Sequence, residues 1–429
     1  MNIQLDHLTA KNERLPFMWC PFMNSSLGTP QAYQTMWQNV FAGLHITDGD
    51  IFCPQDCVGA GGLKINQVGS WFSALRQAVN TKPGLVMWSD VETFDLSNNT
   101  SATMDRVVSQ LKIEQPYVDN YVSWEYCYYD SPNNINSGFQ TTYIDYLNTG
   151  SLETTPPTVP TNFTAKLLTD GDVALNWDAA TDNIGVCGYY VYRNGIMIYK
   201  NQVPINGRQS NNNYKLTGLT DVYLNSNTNY SYKVRAYDFA NNLSEPTSSI
   251  TINTGVIPIF PNNVSLGCPY TISFPDYKID SKTKNTKLTD GKYSNSASAN
   301  DSAWVGFHDN EQKLLVILID LGKVTPVQQF IVDFLNEPKA LVYLPEEVKV
   351  LFSKDNIGFI SVGEFPHPNL SDVETASSYK FRLTLTNSLD ARYIKFVIKP
   401  NERWFDALTF IDEIEVRNNA SSEKRSTKK

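Results

Sequence analysis

The stretch Leu85-Val86-Met87-Trp88-Ser89-Asp90-Val91-Glu92-Thr93-Phe94 constrains this chain most. It reads as a parallel strand that ends in carboxylates. Side chains alternate along a strand, so Leu85, Met87 and Val91 share one face while Trp88, Asp90 and Glu92 share the other. An aromatic and two acids on one face suit the C-terminal end of a (β/α) barrel strand, where catalytic groups collect. The plainer reading is that Asp90 and Glu92 cap the next helix or pair with a base. The sequence leaves both open.

The same strand, loop, helix theme runs through residues 1–150. Leu15 to Cys20 predicts a strand and Gln31 to Ala42 a helix with apolar residues near helical spacing. Asp50 to Asp56 predicts the next strand, which empties into Gly59-Ala60-Gly61-Gly62. Val68 to Val79 predicts a helix with Trp71, Phe72, Leu75, Ala78 and Val79 as its stripe. After the acidic strand, Thr103 to Leu111 reads as helix. Tyr117 to Tyr129 then reads as strand, with Ser123 and Glu125 on one face and Trp124 on the other, and 140–148 as a last helix. Such alternation argues a parallel sheet with right-handed crossovers. About four βα units are present, whereas a full barrel takes about 250 residues. The region is therefore half a barrel or a small doubly wound sheet. The Gly59 to Gly62 loop matches neither phosphate-binding fingerprint.

Residues 151–161 are a linker rich in Pro and Thr, semi-rigid by composition. A different pattern follows. Val173 to Trp177 alternates, and the runs at 188–192 and 196–199 flank Arg193-Asn194-Gly195, a strong hairpin signal. Tyr230 to Asp238 and Ser249 to Thr254 are further strands. Residues 162–255 thus read as a β-sandwich with Trp177 in its core. Residues 256–418 read as a second all-β unit. In it, Leu314 to Gly322 reads as a strand buried on both sides, and Trp304, Phe307, His308, Trp404 and Phe405 are expected on loops. Loop aromatics suit sugar stacking, because a pyranose face is apolar and its rim polar. Trp304 and Trp404 could equally plug the ends of the core. Residues 419–429 are a loose tail.

Composition narrows the partners. Net charge is −9 and the basic residues form no stripe outside the tail, which argues against nucleic acid. The longest apolar run, Leu314 to Ile319, is too short to span a membrane. The six cysteines hold no Cys-x-x-Cys. Cys53 and Cys57 have no nearby His, so zinc is not expected and buried free thiols are the default. No signal peptide follows Met1.

Three resemblances cover most of the chain. Pro160-Thr161-Asn162-Phe163, the Leu-Asn-Trp at 175–177, the Tyr-Tyr-Val-Tyr-Arg-Asn-Gly at 189–195 and Thr228-Asn229-Tyr230 resemble a bacterial fibronectin type III domain, which would make Tyr230 its tyrosine-corner residue. Leu288-Thr289-Asp290-Gly291, Trp304-Val305-Gly306-Phe307, Ile319 to Gly322, Ala391 to Phe396 and Ile411 to Val416 resemble a discoidin, or factor 5/8 C-type, jelly-roll domain. That family implies a carbohydrate-binding module with Trp304, Phe307, His308 and Trp404 as candidate sugar contacts, and it leaves a structural calcium open. Pro54-Gln55-Asp56 with Gly59, the Trp88 to Glu92 strand and Trp124-Glu125 resemble the C-terminal half of poorly characterised bacterial TIM barrels related to glycoside hydrolases. By that resemblance Glu92 ends the seventh barrel strand as nucleophile or base. Asp90 and Asp56 tune it or hold sugar hydroxyls, and Glu125 is a second carboxylate. Gln55, Trp88, Trp124 and Trp19 are candidate substrate contacts.

The expectation is a multidomain carbohydrate-active protein, secreted or at the cell surface, whose partner is a polysaccharide or glycan. It needs no resident cofactor. The strands before the fifth are missing from the barrel resemblance, so the sequence predicts that Met1 lies inside a longer ancestral protein and that the other barrel half is a further partner. A non-catalytic glycan- or surface-binding adhesin and an inactive fragment are the alternatives.

Overall fold

The computed structural model describes residues 2–26, 28–95, 100–124, 131, 137–168, 170–202, 216–273, 286–308, 314–368, 376–401 and 407–419. The chain is multidomain and mostly β. Its first part holds α1 (Asn2–Ala10), β1 (Met18–Trp19), α2 (Pro30–Gly43), β2 (Ile51–Phe52), α3 (Ile65–Val79), β3 (Val86–Glu92), β4 (Phe94–Asp95), β5 (Thr100–Ser101), α4 (Met104–Glu114), β6 (Asn120–Trp124) and α5 (Ser137–Thr149). Helix α2 starts where the sequence supplies an N-cap and a proline. Thr29 Oγ1 accepts the N–H of Ala32 at 3.2 Å, and Pro30 occupies the first turn, where its missing N–H costs nothing.

Strands β1, β2, β3 and β6 form one parallel sheet in that order, with no reversal. Helices α2, α3, α4 and α5 neighbour one another in chain order. Their apolar stripes meet Phe52, Met87 and Val91 from one side. The described strands run in sequential parallel order with helices on one face, without the reversal that marks the switch point of a doubly wound sheet. The other face carries Trp88, Asp90 and Glu92 on β3 and Asn120, Val122 and Trp124 on β6.

That face is open. Met18, Val122 and Trp124 are exposed there, and Leu15, Phe17 and Phe22 are exposed beside β1. Both β1 and β6 are edge strands of the sheet. Uncapped edges lined with apolar side chains are surfaces that folded proteins normally cover.

The second part holds β7 (Thr161–Leu167), β8 (Val173–Asp178), β9 (Val186–Arg193), β10 (Ile196–Gln202), β11 (Gly218–Asp221), β12 (Asn229–Asp238) and β13 (Ile250–Asn253). They make a four-stranded sheet, β10-β9-β12-β13, and a three-stranded one, β11-β8-β7. Asn194 and Gly195 turn the β9–β10 hairpin with φ of 53° and 81°, the pair of positive values that a type I′ turn demands. Trp177 lies in the core against Tyr189, at a ring separation of 5.4 Å. Tyr230 Oη accepts the N–H of Asn225 at 3.1 Å.

The third part holds β14 (Asn262–Asn263), β15 (Tyr270–Ile272), β16 (Val305–His308), β17 (Leu315–Asn336), β18 (Glu347–Ser353), β19 (Ile360–Glu364), β20 (Ser377–Lys399) and β21 (Leu408–Asn418). The long strands β17 and β20 change partners along their length. The first third of β17 pairs with β15 and the end of β20; the rest pairs with the start of β20 and with β21. Register shifts between Asp320 and Thr325 mark the bend that folds this sheet around its core. The expectation that Leu314 to Gly322 is buried on both sides is corrected. Leu315, Ile317, Ile319 and Leu321 are buried, whereas Val316 and Leu318 between them are only half-buried. An unbroken apolar run does not show that both faces are covered.

The first two parts share a core. Val91, Phe94, Met104, Val107, Leu111 and Phe139 pack in one cluster with Cys187, Tyr237 and Phe239. Hydrogen bonds join them too: Met104 N–H donates to Phe239 O at 2.8 Å, and the Gln202 side-chain Nε2 donates to Ser101 O at 2.7 Å. Gly138 lies against this seam. A Cβ there would lie 2.4 Å from the edge of the Phe239 ring and 2.6 Å from the Ile184 carbonyl oxygen. Gly138→Val is therefore expected to destabilise by about 1–3 kcal/mol, the usual cost of overpacking. Denaturant unfolding would show it, with the loss concentrated in contacts across the seam. The second and third parts also touch. Tyr223 stacks on Phe381 at 4.8 Å, and its hydroxyl donates to Pro366 O.

Candidate functional site

The register decides which side chains meet. Phe52 pairs with Met87, an isolated bridge joins Gln55 to Asp90, and Glu92 pairs with Trp124. Gln55, Trp88, Asp90, Glu92 and Trp124 therefore occupy one face, at the C-terminal ends of parallel strands. Trp124 is exposed, while Trp88 and Gln55 are half-buried. The sequence put Trp124 opposite Ser123 on its own strand, and the neighbouring strand places it beside Glu92.

Glu92 is 1 % exposed. The loop from Cys57 to Gly62 folds over it, and Ala60 N–H donates to Glu92 Oε2 at 2.7 Å. Gly59 makes this close approach workable. A Cβ there would overlap the carbonyl oxygen of Phe94 and lie 3.2 Å from Glu92 Oε2. Gly59→Ala is expected to cost about 1–3 kcal/mol by displacing this loop. Thermal unfolding checks the loss, and a drop in the Glu92 pKa on titration would show the carboxyl newly wetted.

Burial pushes the Glu92 carboxyl up to about 8, with the charge of Asp56 adding to the rise. Burial and Asp56 likewise push Asp90 up to about 6. At neutral pH this face thus holds one protonated carboxyl and one largely ionised carboxylate two residues apart on one strand. Such a pair can donate a proton to one group and stabilise positive charge at another.

For Asp56 the structure bears on the sugar-hydroxyl alternative alone. It is fully buried on the helix-facing side, where its Oδ1 accepts Val58 N–H at 3.1 Å and its Oδ2 accepts the Gln110 amide. A sealed carboxyl cannot hold a sugar hydroxyl; its reach into the site is electrostatic. Glu114 lies beside it, and burial raises both acids. Arg106, donating to the carbonyl oxygens of Glu92 and Phe94, brings the compensating positive charge.

Trp19 is also corrected. It packs into the helix-side core with Phe52 and Phe41, turned away from Trp88 and Asp90. In the third part, Trp304 and Phe307 are buried rather than displayed. Trp304 donates its Nε1–H to Ser296 O at 3.0 Å, and Phe307 lies on strand β16 inside the main core. Neither presents a ring face for stacking. Glu125 and Trp404 lie outside the described residues, as does the side chain of His308. Sequence reasoning missed Cys20, Cys53, Arg106, Gln110 and Glu114. Strand register brings in Cys20 and Cys53, and the packing of one face of α4, at four-residue spacing, brings in Arg106, Gln110 and Glu114.

Among the described residues no three His, Cys, Asp or Glu side chains come together as a metal site. No described helix is long and apolar enough to cross a membrane.

Comparison with known proteins gives a family match over the first part and shorter matches to enzymes. Residues 1–136 match a domain of unknown function, DUF4434. The chain is 38 % identical over 102 residues to chitinase Chi52 of Paenibacillus xylanexedens, which is 24 % of this chain and 17 % of that one. It is 36 % identical over 106 residues to exoglucanase B of Cellulomonas fimi, 25 % of this chain and 8 % of that one. It is 42 % identical over 91 residues to chitinase D of Niallia circulans, 21 % of this chain and 15 % of that one. The chain thus spans less than a fifth of each relative. Among solved structures it is similar to chitosan-binding module 2 in complex with chitotriose, from a Paenibacillus chitosanase/glucanase. That likeness has a TM-score of 0.24 at 12 % identity, covering 36 % of this chain and 100 % of that one. It is also similar to the family 32 module of Clostridium perfringens NanJ in complex with galactose, at a TM-score of 0.24 and 12 % identity, covering 35 % of this chain and 93 % of that one. At those scores the likenesses carry no argument about this chain.

Proposed function

We propose that this chain is a modular carbohydrate-active protein acting on a polysaccharide of the chitin or glucan type, outside the cell or at its surface. One observation carries the reading: Trp88, Asp90, Glu92 and Trp124 share one face at the C-terminal ends of parallel strands. Acids supply proton transfer and charge stabilisation for glycosidic cleavage, and indole rings supply stacking surfaces for sugar. The matches to chitinases and an exoglucanase point to the same polymers.

In this reading residues 1–150 are a half (β/α) barrel of glycoside-hydrolase type, and the open edges at β1 and β6 are where the other half closes it. Residues 162–255 are a fibronectin type III spacer after the 151–161 linker. Residues 256–418 are a discoidin-like carbohydrate-binding module. A structural calcium in that module would draw on Glu413, whose Oε1 is buried without a hydrogen-bond partner while Oε2 accepts Gly291 N–H at 3.0 Å. Calcium takes several oxygen ligands, so backbone carbonyls would have to complete the shell.

The test is co-sedimentation of the full chain with insoluble chitin and cellulose, joined to a reducing-sugar assay. Binding to one of them supports the reading, and binding to neither removes it. A second reading, a glycan-binding protein without turnover, is favoured by the 1 % exposure of Glu92 beneath the Cys57 to Gly62 loop. Binding without product release would select it.

A further inference from the structure

Two cysteines stand side by side on the face just described. Strands β1 and β2 pair in parallel, Met18 with Ile51 and Trp19 with Phe52. The alignment continues past the last paired residues, because Cys53 N–H donates to Trp19 O at 2.7 Å and Gln55 N–H donates to Pro21 O at 3.0 Å. Cys20 and Cys53 therefore lie opposite one another. They point to the same face as Trp88 and Asp90. Neighbouring strands lie about 4.8 Å apart. A disulfide requires Cα atoms about 4.4–6.8 Å apart. Cys20 is exposed and Cys53 is fully buried behind it.

The other described cysteines lack this arrangement. Cys57 Sγ accepts Met23 N–H at 3.0 Å, Cys187 is sealed in the core shared by the first two parts, and Cys268 lies in the third part.

We propose that Cys20 and Cys53 form a dithiol site that a small-molecule disulfide oxidises to a strand-to-strand disulfide beside Asp90. The Cys20 thiolate attacks one sulfur of oxidised glutathione. A Cys20–glutathione bond forms, and one glutathione thiolate leaves. The Cys53 thiolate then attacks Cys20 Sγ, forming the Cys20–Cys53 bond and releasing the second glutathione. The protein loses two protons and two electrons, and the oxidant becomes two thiols. Exposure makes Cys20 the entry point and burial makes Cys53 the resolving thiol. Burial and the Asp90 charge raise both thiols, so exchange is slow near neutral pH and quickens as pH rises.

The full chain is incubated with oxidised glutathione across a pH series, unfolded, alkylated with N-ethylmaleimide, digested without reductant and mapped by mass. The expected result is a linked Cys20–Cys53 peptide pair that dithiothreitol separates, with the other cysteines alkylated. Cys53→Ser should instead hold glutathione on Cys20. The proposal is overturned if the native chain keeps both cysteines alkylated, or if it stops at the Cys20–glutathione adduct. Should Cys53→Ser fail to fold, the native chain decides alone, through the linked pair and its faster formation at higher pH.

Discussion

Glu92→Gln is expected to raise stability increasingly from about pH 5 to pH 8 and beyond and, on the proposed carbohydrate-active reading, to abolish most hydrolysis. The amide is a neutral copy of the protonated carboxyl. Its oxygen still accepts the N–H of Ala60, which now donates at 2.7 Å. The folded site no longer has to hold a proton that the unfolded chain releases in the ordinary carboxylate range, so the gain grows as pH rises toward 8 and is complete above it. Catalysis runs the other way. Pushed up to about 8, Glu92 keeps its proton at neutral pH, which suits a general acid and not the nucleophile or base that the sequence resemblance implied. It can donate that proton only with the Cys57 to Gly62 loop displaced from its carboxyl. An amide cannot donate it to a leaving oxygen, and such donation contributes roughly 10²–10⁴-fold. Melting at pH 9 and turnover of a chitin or glucan oligosaccharide by the full chain check the two halves. Unchanged hydrolysis with altered melting would assign Glu92 to structure alone.

Across the whole chain, stability is expected to fall between pH 5 and pH 9. Burial raises Asp172 to about 7, helped by Asp170, and Asp333 to about 7, helped by Asp412. It raises Glu413 to about 9 and Asp412 to about 6. Each group, like Glu92, binds its proton more tightly folded than unfolded. The native state therefore holds more protons than the unfolded one between the ordinary carboxylate range and the raised values. Unfolding free energy must then decrease as pH rises through that window, and each contribution is complete below the unfolded pKa. The sum is on the order of 3 kcal/mol or more, enough to lower the melting midpoint by on the order of 10 °C. Asp50 works oppositely, because hydrogen bonds from Arg14, Thr47 and Phe17 outweigh its burial and hold it low. Its contribution is lost only in acid. A melting series from pH 5 to pH 9 checks the slope, and a midpoint flat across the series would contradict it.

The sequence made periodicity legible, and with it most elements. Helices α2, α3 and α4, the turn at Asn194-Gly195 and the core place of Trp177 follow from patterns inside one segment. What failed depended on how segments meet. Alternation along Asp50 to Asp56 says that Gln55 and Asp56 face opposite ways, and only the bridge from Gln55 to Asp90 says which one joins the acids. Trp19 and Cys20 are the same case on β1. Phe307 was expected on a loop, yet pairing with β21 makes its run a strand. Helix α1 escaped because it has no marked apolar stripe; Leu5 is its buried anchor.

The seam around Phe139 and Phe239 has a mechanical consequence. Two bodies that share one set of buried rings cannot be pulled apart without wetting those rings. Stretched between its ends, the chain should give way at the first two parts in one rupture, with a single long extension. A tether would instead have let each yield at its own force.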